Sequence, residues 1–246
     1  MGLSNNKIKY IQSLKEKKFR NKYNTFVAEG TKLVLDLLES CKCQLIAALP
    51  EVIYANPELR AEEIIEASPN ELKKATFLKT PPSIIAVFYR HDSEIDKSEI
   101  KNKLSLVLDG VQDPGNVGTI IRTAAAADIL DIYLINCADP YSPKTIRSTM
   151  GGIFFTRIYE IDYTFLDELE RVSIILGADM QGTTFQNYNR TRENISLAIG
   201  NEANGLSEIV RKKCKGFLSI PMKNTESLNA AVSAGILMYY LKSKEF

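Results

Sequence analysis

Six side chains able to do chemistry stand in three short stretches: Asn116 with Arg122, Asn201 with Glu202, and Ser227 with Asn229. An arginine stays protonated and presents a planar fork of donors that suits phosphate and other oxyanions. The amides and the hydroxyl can donate or accept, and Glu202 is the one carboxylate of the set. These residues make a poor cation cage, so no metal is expected. The chain has a single histidine, His91, beside the polar run DSEIDKSE, which argues against a histidine triad and a histidine-rich metal site. Cys41, Cys43, Cys137 and Cys214 have neither disulfide-framework nor zinc spacing and read as free thiols in a reducing, cytoplasmic compartment.

The elements that must position these residues follow one pattern. Leu104–Asp109 (LSLVLD) reads as a buried strand, residues 110–116 (GVQDPGN) as a loop, and residues 117–127 as a helix with Asn116 as its N-cap. Arg122 is the lone charge on that helix. Its i±3 and i±4 neighbours Gly118, Thr119, Ala125 and Ala126 are small, so a substrate or a second backbone could come close. Two readings stay open at this point: a structural ion pair, or a grip on an anion. The loop has neither GxxxxGK[ST] nor GxGxxG, which removes the warrant for P-loop and dinucleotide readings. Residues 195–207 (ISLAIGNEANGLS) and 217–241 repeat the strand–loop–helix pattern, the last helix being capped by Ser227 in this reading. All three loops follow strand C-termini, where open parallel sheets bind ligands. The last helix is apolar nearly all round, which predicts core on one face and a partner subunit on the other.

With 246 residues, 45% hydrophobic and 25% charged, the chain is an ordinary globular composition with room for two domains. No apolar run approaches ~18 residues, so no membrane span is expected. Net charge is +1, so a nucleic-acid partner would need a local basic patch. One exists near the start: Lys7, Lys9, Lys15, Lys17, Lys18, Arg20 and Lys22, interleaved with Tyr10, Phe19 and Tyr23. It is either a solvated helix face or a phosphate-contacting surface with stacking aromatics. Further along, residues 25–30 read as strand and turn, 31–40 as a helix, 44–49 and 51–55 as strands, and 57–67 as a helix opened by Pro57. Asn70 is placed to cap a short helix ending near Ala75, and 83–90 is a strand. This predicts a small α/β domain over 1–92, a linker over 93–102, and a second α/β domain over 103–246 with a mainly parallel sheet. In the second domain, 131–136, 153–161, 173–177, 195–200 and 217–220 read as strands.

Taken together the three stretches resemble the SpoU (TrmH-like) family of RNA ribose 2'-O-methyltransferases in the SPOUT superfamily. The matching residues are Asn116-x-Gly118-x-x-x-Arg122, then Ile199-Gly200-Asn201-Glu202 with Gly205, then Ile220-Pro221-Met222 followed by Ser227-Leu228-Asn229-Ala230. Residues 1–92 resemble, through Phe26-x-x-Glu29-Gly30, the small substrate-binding domain that many members carry. The resemblance implies a deep trefoil knot, which connection rules alone argue against. It implies S-adenosyl-L-methionine as cofactor, held by Gly200, Asn201, Ile220, Met222, Leu228 and Asn229. It implies Arg122, Asn116, Glu202, Ser227 and Asn229 at the reacting end; the basic patch at the start supplies Lys15, Lys17, Lys18 and Arg20, with Arg122, as the residues expected to meet RNA. It also implies a homodimer with the last helix and the Arg122 helix at the interface.

The expected activity is methyl transfer from S-adenosyl-L-methionine to a ribose 2'-OH of structured RNA, with rRNA favoured over tRNA by the N-terminal domain. The alternative from another class is a non-catalytic RNA-binding protein on the same scaffold. Arg122 is expected to grip RNA phosphate and stabilise a developing alkoxide; a deprotonated Arg122 acting as general base is the competing role.

Overall fold

The computed structural model describes residues 2–90, 104–189 and 194–243. The expected linker and His91 lie outside the described residues. The chain forms two compact units, one of residues 1–92 with 139–154, the other of residues 93–138 with 155–246.

In the first unit, Ser4 caps helix α1 (Asn5–Ser13), which buries Ile8 and Ile11, and α2 (Lys17–Tyr23) follows. Then come β1 (Thr25–Glu29), α3 (Thr31–Leu38), β2 (Cys43–Ala48), α4 (Pro50–Ala55), β3 (Glu63–Glu66), α5 (Pro69–Ala75) and β4 (Ile84–Tyr89). The sheet order is β1-β4-β2-β3, with β4 antiparallel to both of its neighbours and β3 parallel to β2. Three expectations fail here for local reasons. Residues 51–55 are helical because Pro50 occupies the first helical turn, where its missing N–H costs nothing. Pro57 opens no helix; a turn leads into β3, whose Ile64 and Ile65 continue the sheet beside β2. The α5 cap is Ser68 rather than Asn70, in a reciprocal capping box with Glu71.

The second unit is built on β5 (Leu104–Asp109), α6 (Pro114–Ala126) and β6 (Asp131–Ile135). The chain then contributes α7 (Pro143–Thr149) to the first unit. It returns with β7 (Arg157–Glu160), α8 (Leu166–Val172), β8 (Ile174–Thr184), β9 (Ile195–Gly200), α9 (Glu208–Lys213), β10 (Gly216–Ser219) and α10 (Ala230–Ser243). The six strands are all parallel, in the order β10-β8-β9-β5-β6-β7. Every residue of β5 and β9 is buried, as a strand covered on both faces requires. The predicted strand over 153–161 shortens to β7, because a 3-10 turn takes up residues 152–155.

Among the described residues no helix is long and apolar enough to cross a membrane. No three of His, Cys, Asp and Glu converge there as a metal cluster. The four thiols are free, and burial pushes Cys41 and Cys43 up to about 12 and Cys137 and Cys214 up to about 11, so they remain protonated.

Candidate active site

Parallel pairing aligns the C-terminal ends of β5 and β9: Asp109 stands opposite Gly200. The loop after β9 doubles back at once. Asn201 and Gly205 exchange backbone hydrogen bonds of 2.9 Å, and Gly205 takes a positive φ of 68°. A side chain at Gly200 would meet the Gly205 carbonyl carbon at 2.2 Å, so only glycine lets the hairpin fold this tightly. Asn201 is a staple: its amide donates to the Gly110 carbonyl (2.8 Å) and its oxygen accepts from the Ala203 and Asn204 amides (2.9 and 3.1 Å). Buried Asp109 accepts the Ser207 amide at 2.6 Å and ties the far end of the hairpin to β5.

Glu202 projects from this hairpin toward α6. Its Oε1 accepts from Asn116 Nδ2 at 2.7 Å, and its carboxylate faces the Gln112 and Asp113 amides at 3.4 Å. Burial raises its carboxyl pKa, but the Asn116 and backbone hydrogen bonds outweigh that and hold it below the usual value. Glu202 is therefore an anion at neutral pH and an acceptor rather than an acid. Asn116 Oδ1 in turn accepts from Asn229 Nδ2 at 2.9 Å. Asn229 Oδ1 accepts from the Ala231 and Val232 amides (2.9 and 3.3 Å) and so caps α10. One chain of hydrogen bonds thus links the loops after β5, β9 and β10.

Two expected caps are corrected by this geometry. The α6 cap is Asp113, which accepts from Gly115 and Asn116; Pro114 starts the helix early and leaves Asn116 in its first turn. The α10 cap is Asn229 rather than Ser227, because residues 220–229 stay irregular up to Ala230.

Arg122 is exposed on α6, and among the described residues it has no hydrogen bond or ion pair. The structural ion pair is thereby ruled out among those residues, and the guanidinium is left available. Arg20 is the opposite case and corrects its assignment to RNA. It is 3% exposed, donates to the Leu14 and Lys15 carbonyls and to Asp139 Oδ2 at 2.6 Å, and belongs to the core of the first unit. Lys15, Lys17 and Lys18 are exposed, with Lys18 paired to Glu16 at 2.9 Å.

Beside the Glu202 hairpin lies a cavity of about 570 Å³, within the range that encloses a small ligand. Gly200, Asn201, Ile220, Met222 and Leu228 line it, as do Glu202 and Ser227. Asn229 does not line it, acting instead on Asn116 and the α10 terminus. The wall also holds residues the sequence did not single out, chiefly Asp179, Gln181 and Arg211. No periodicity marks them, since β8 was expected to stop at Gly177. The lining fits a nucleoside-sized group: backbone from the hairpin, apolar surface from Ile199, Ile220, Met222 and Leu237, and polar ends such as Asp179, Gln181 and Arg211.

Comparison with known proteins places the chain in a family. Residues 103–239 match the SpoU rRNA Methylase family, and residues 5–86 match the MRM3-like substrate binding domain. The chain is 32% identical over 250 residues to the 23S rRNA (guanosine(2553)-2'-O)-methyltransferase RlmP of Bacillus subtilis, covering 97% of this chain and 96% of that one. It is 30% identical to the 23S rRNA (uridine(2479)-2'-O)-methyltransferase of Streptomyces viridochromogenes, over 74% of this chain and 67% of the relative. The crystal structure of an AdoMet-bound rRNA methyltransferase from Sinorhizobium meliloti superposes with a TM-score of 0.86 at 27% identity, over 99% of this chain and 96% of the other. By the match over residues 103–239 and the likeness to RlmP along nearly the whole chain, this protein belongs to the SpoU rRNA methylase family.

Proposed function

We propose that this protein transfers a methyl group from S-adenosyl-L-methionine to a ribose 2'-OH of rRNA. The observation that carries the reading is the joining of three strand-end loops by the Glu202–Asn116–Asn229 chain, with the loops after β9 and β10 lining one cavity. The cofactor supplies an electrophilic methyl on a sulfonium. Gly200, Asn201, Ile220, Met222 and Leu228 would hold it. Glu202 holds Asn116 in one rotamer, and Asn116 and Asn229 brace the first turns of α6 and α10. Arg122 grips an RNA phosphate and stabilises the oxyanion that develops as the hydroxyl proton passes to solvent water. Ser227, exposed on the cavity rim, orients the incoming ribose. Lys15, Lys17 and Lys18 of residues 1–92 are the RNA-contacting cations of the substrate-binding domain.

The same reading makes the protein a cytoplasmic homodimer with a threaded, knotted C-terminal segment. Its four unpaired thiols support the compartment. The strand order, with β9 between β8 and β5 and α10 packed on α6, supports the threading. Exposed Val232, Ile236 and Tyr239 on α10, beside exposed Thr119, Arg122 and Ala126 on α6, support a dimer seam on these two helices.

Arg122→Ala tests the activity. It is expected to abolish methyl transfer while leaving cofactor affinity within a few-fold, measured by radiolabel transfer and calorimetry. Near wild-type transfer would remove Arg122 from the reaction. Cofactor binding by wild type without transfer to any rRNA fragment would favour the non-catalytic reading.

A further inference from the structure

The cavity wall contributed by β8 is built unusually. Strand β10 pairs Phe217 with Gly177, and its very next residue, Leu218, pairs with Thr183. Residues 178–182 therefore stand outside that ladder, as a large bulge does. Backbone contact closes its base: a side chain at Gly182 would meet the Phe217 carbonyl at 2.5 Å, and Ser219 Oγ donates to the Gly182 carbonyl at 2.9 Å. Four residues of the bulge, Ala178, Asp179, Met180 and Gln181, line the cavity.

Asp179 is the polar centre of this wall. Its Oδ1 accepts the Gln181 amide at 2.8 Å and its Oδ2 accepts from Arg211 Nη1. The Arg211 guanidinium lies over the Phe217 ring, 4.7 Å from its centroid, which fixes the direction from which it meets the carboxylate. Burial raises the Asp179 carboxyl, and the Arg211 and Gln181 hydrogen bonds bring it below its usual value. An ionised carboxylate has about four acceptor positions, so two remain once these donors are placed. Because Arg211 offsets its charge, the remaining capacity suits neutral hydroxyl donors better than a cation. Position agrees: β8 lies two strands, roughly 10 Å, from β5, the strand that leads into α6. With the reacting end assigned to α6 as proposed above, the part of the cofactor that would reach the bulge is its nucleoside.

We infer that Asp179, oriented by Arg211 and the Gln181 amide, accepts hydrogen bonds from the ribose hydroxyls of the bound cofactor and makes the site selective for a ribonucleoside. A strand-end carboxylate plays a comparable part toward ribose in dinucleotide folds. The inference rests on the cofactor assignment above.

Calorimetry of the full chain with S-adenosyl-L-homocysteine and with its 2',3'-dideoxy analogue tests it. Wild type is expected to bind S-adenosyl-L-homocysteine at least tenfold more tightly than the analogue. Asp179→Ala should lose about tenfold or more toward S-adenosyl-L-homocysteine and almost nothing toward the analogue. Arg211→Gln, which spares the carboxylate but frees it to turn, should lose part of the same discrimination. Equal losses for both ligands, or no loss, would show that the pair only braces the bulge and would overturn the inference. Wild type that binds the dideoxy analogue as well as the parent would also overturn it. Wild type that binds neither ligand would instead overturn the cofactor assignment, and this inference with it. Melting temperatures of both variants within a few degrees of wild type establish that the comparison concerns folded protein.

Discussion

At Gly200 a methyl group would have to occupy space already held by the Gly205 backbone. Gly200→Ala is therefore expected to displace the 201–205 hairpin, detach Glu202 from Asn116 and weaken cofactor binding at least tenfold, as calorimetry would read. Glu202 allows a pH test. Its carboxyl titrates below the ordinary 4.5 in the fold, so the stability it contributes is fully present above 4.5 and is lost as pH falls through the lower folded value. Glu202→Gln removes that dependence. Melting temperatures between about pH 5 and about pH 3 should then fall less steeply for the variant than for wild type. A parallel fall in both proteins would mean the Asn116 bond contributes nothing. Arg20 belongs to this scale too. Removing it strands Asp139, which is largely buried, and Arg20→Ala should cost about 3–5 kcal/mol in a denaturant titration, as breaking a buried pair does.

Among the elements, α10 separates two roles that its composition blends. Ala234, Leu237 and Leu241 are buried by the chain itself, whereas Val232, Ile236 and Tyr239 are 51%, 36% and 53% exposed. The small residue Ala234, which looks like an interface position in sequence, belongs to the core. A charge there is a folding defect, costing several kcal/mol as an unpaired buried charge. Ile236→Asp is the proper probe of the proposed dimer seam. It is expected to yield a folded monomer by sedimentation, with circular dichroism like wild type and lost activity. A dimer of unchanged affinity would place the subunit interface elsewhere.

For the whole molecule, residues 139–154 join the first unit although they fall inside the expected catalytic domain. Cutting at 92 would strip Tyr141, Ile146 and Ile153 of partners they are buried among. A truncation therefore tests stability as much as RNA affinity. Substituting the exposed cations is cleaner: Lys15, Lys17 and Lys18 all changed to Gln, with Arg20 left in place. Every lysine that neutralises a phosphate in the wild type should, once replaced, flatten the log–log salt dependence of RNA binding by about 0.7–0.9. An unchanged slope would show that these lysines face only solvent.

What sequence determined by itself is what local patterning and residue chemistry control. The short, mostly apolar run Leu104–Asp109, the turn-forming loops and the alternation of strand with helix specified a parallel sheet with polar residues at its strand ends, because these signals act within a few residues. The three motif stretches named Asn116, Glu202 and Asn229, which the fold then joins by hydrogen bonds. Caps were less legible: Asn116, Asn70 and Ser227 are good capping types, but Pro114, Ser68 and Asn229 decided where the helices start. Arg20 and Arg122 show the limit most clearly. Both are arginines on helices, one in a basic run and one alone among small residues, and neither pattern says which is buried. One is enclosed by the Leu14 and Lys15 carbonyls and by Asp139, which lies 119 residues away in the chain. The other is left on an open face of α6. The membership of residues 139–154 in the first unit, the bulge at 178–182 and the Asp179–Arg211 pair are likewise tertiary. Each depends on which distant segments the sheet order brings side by side, and that information is spread over the whole chain.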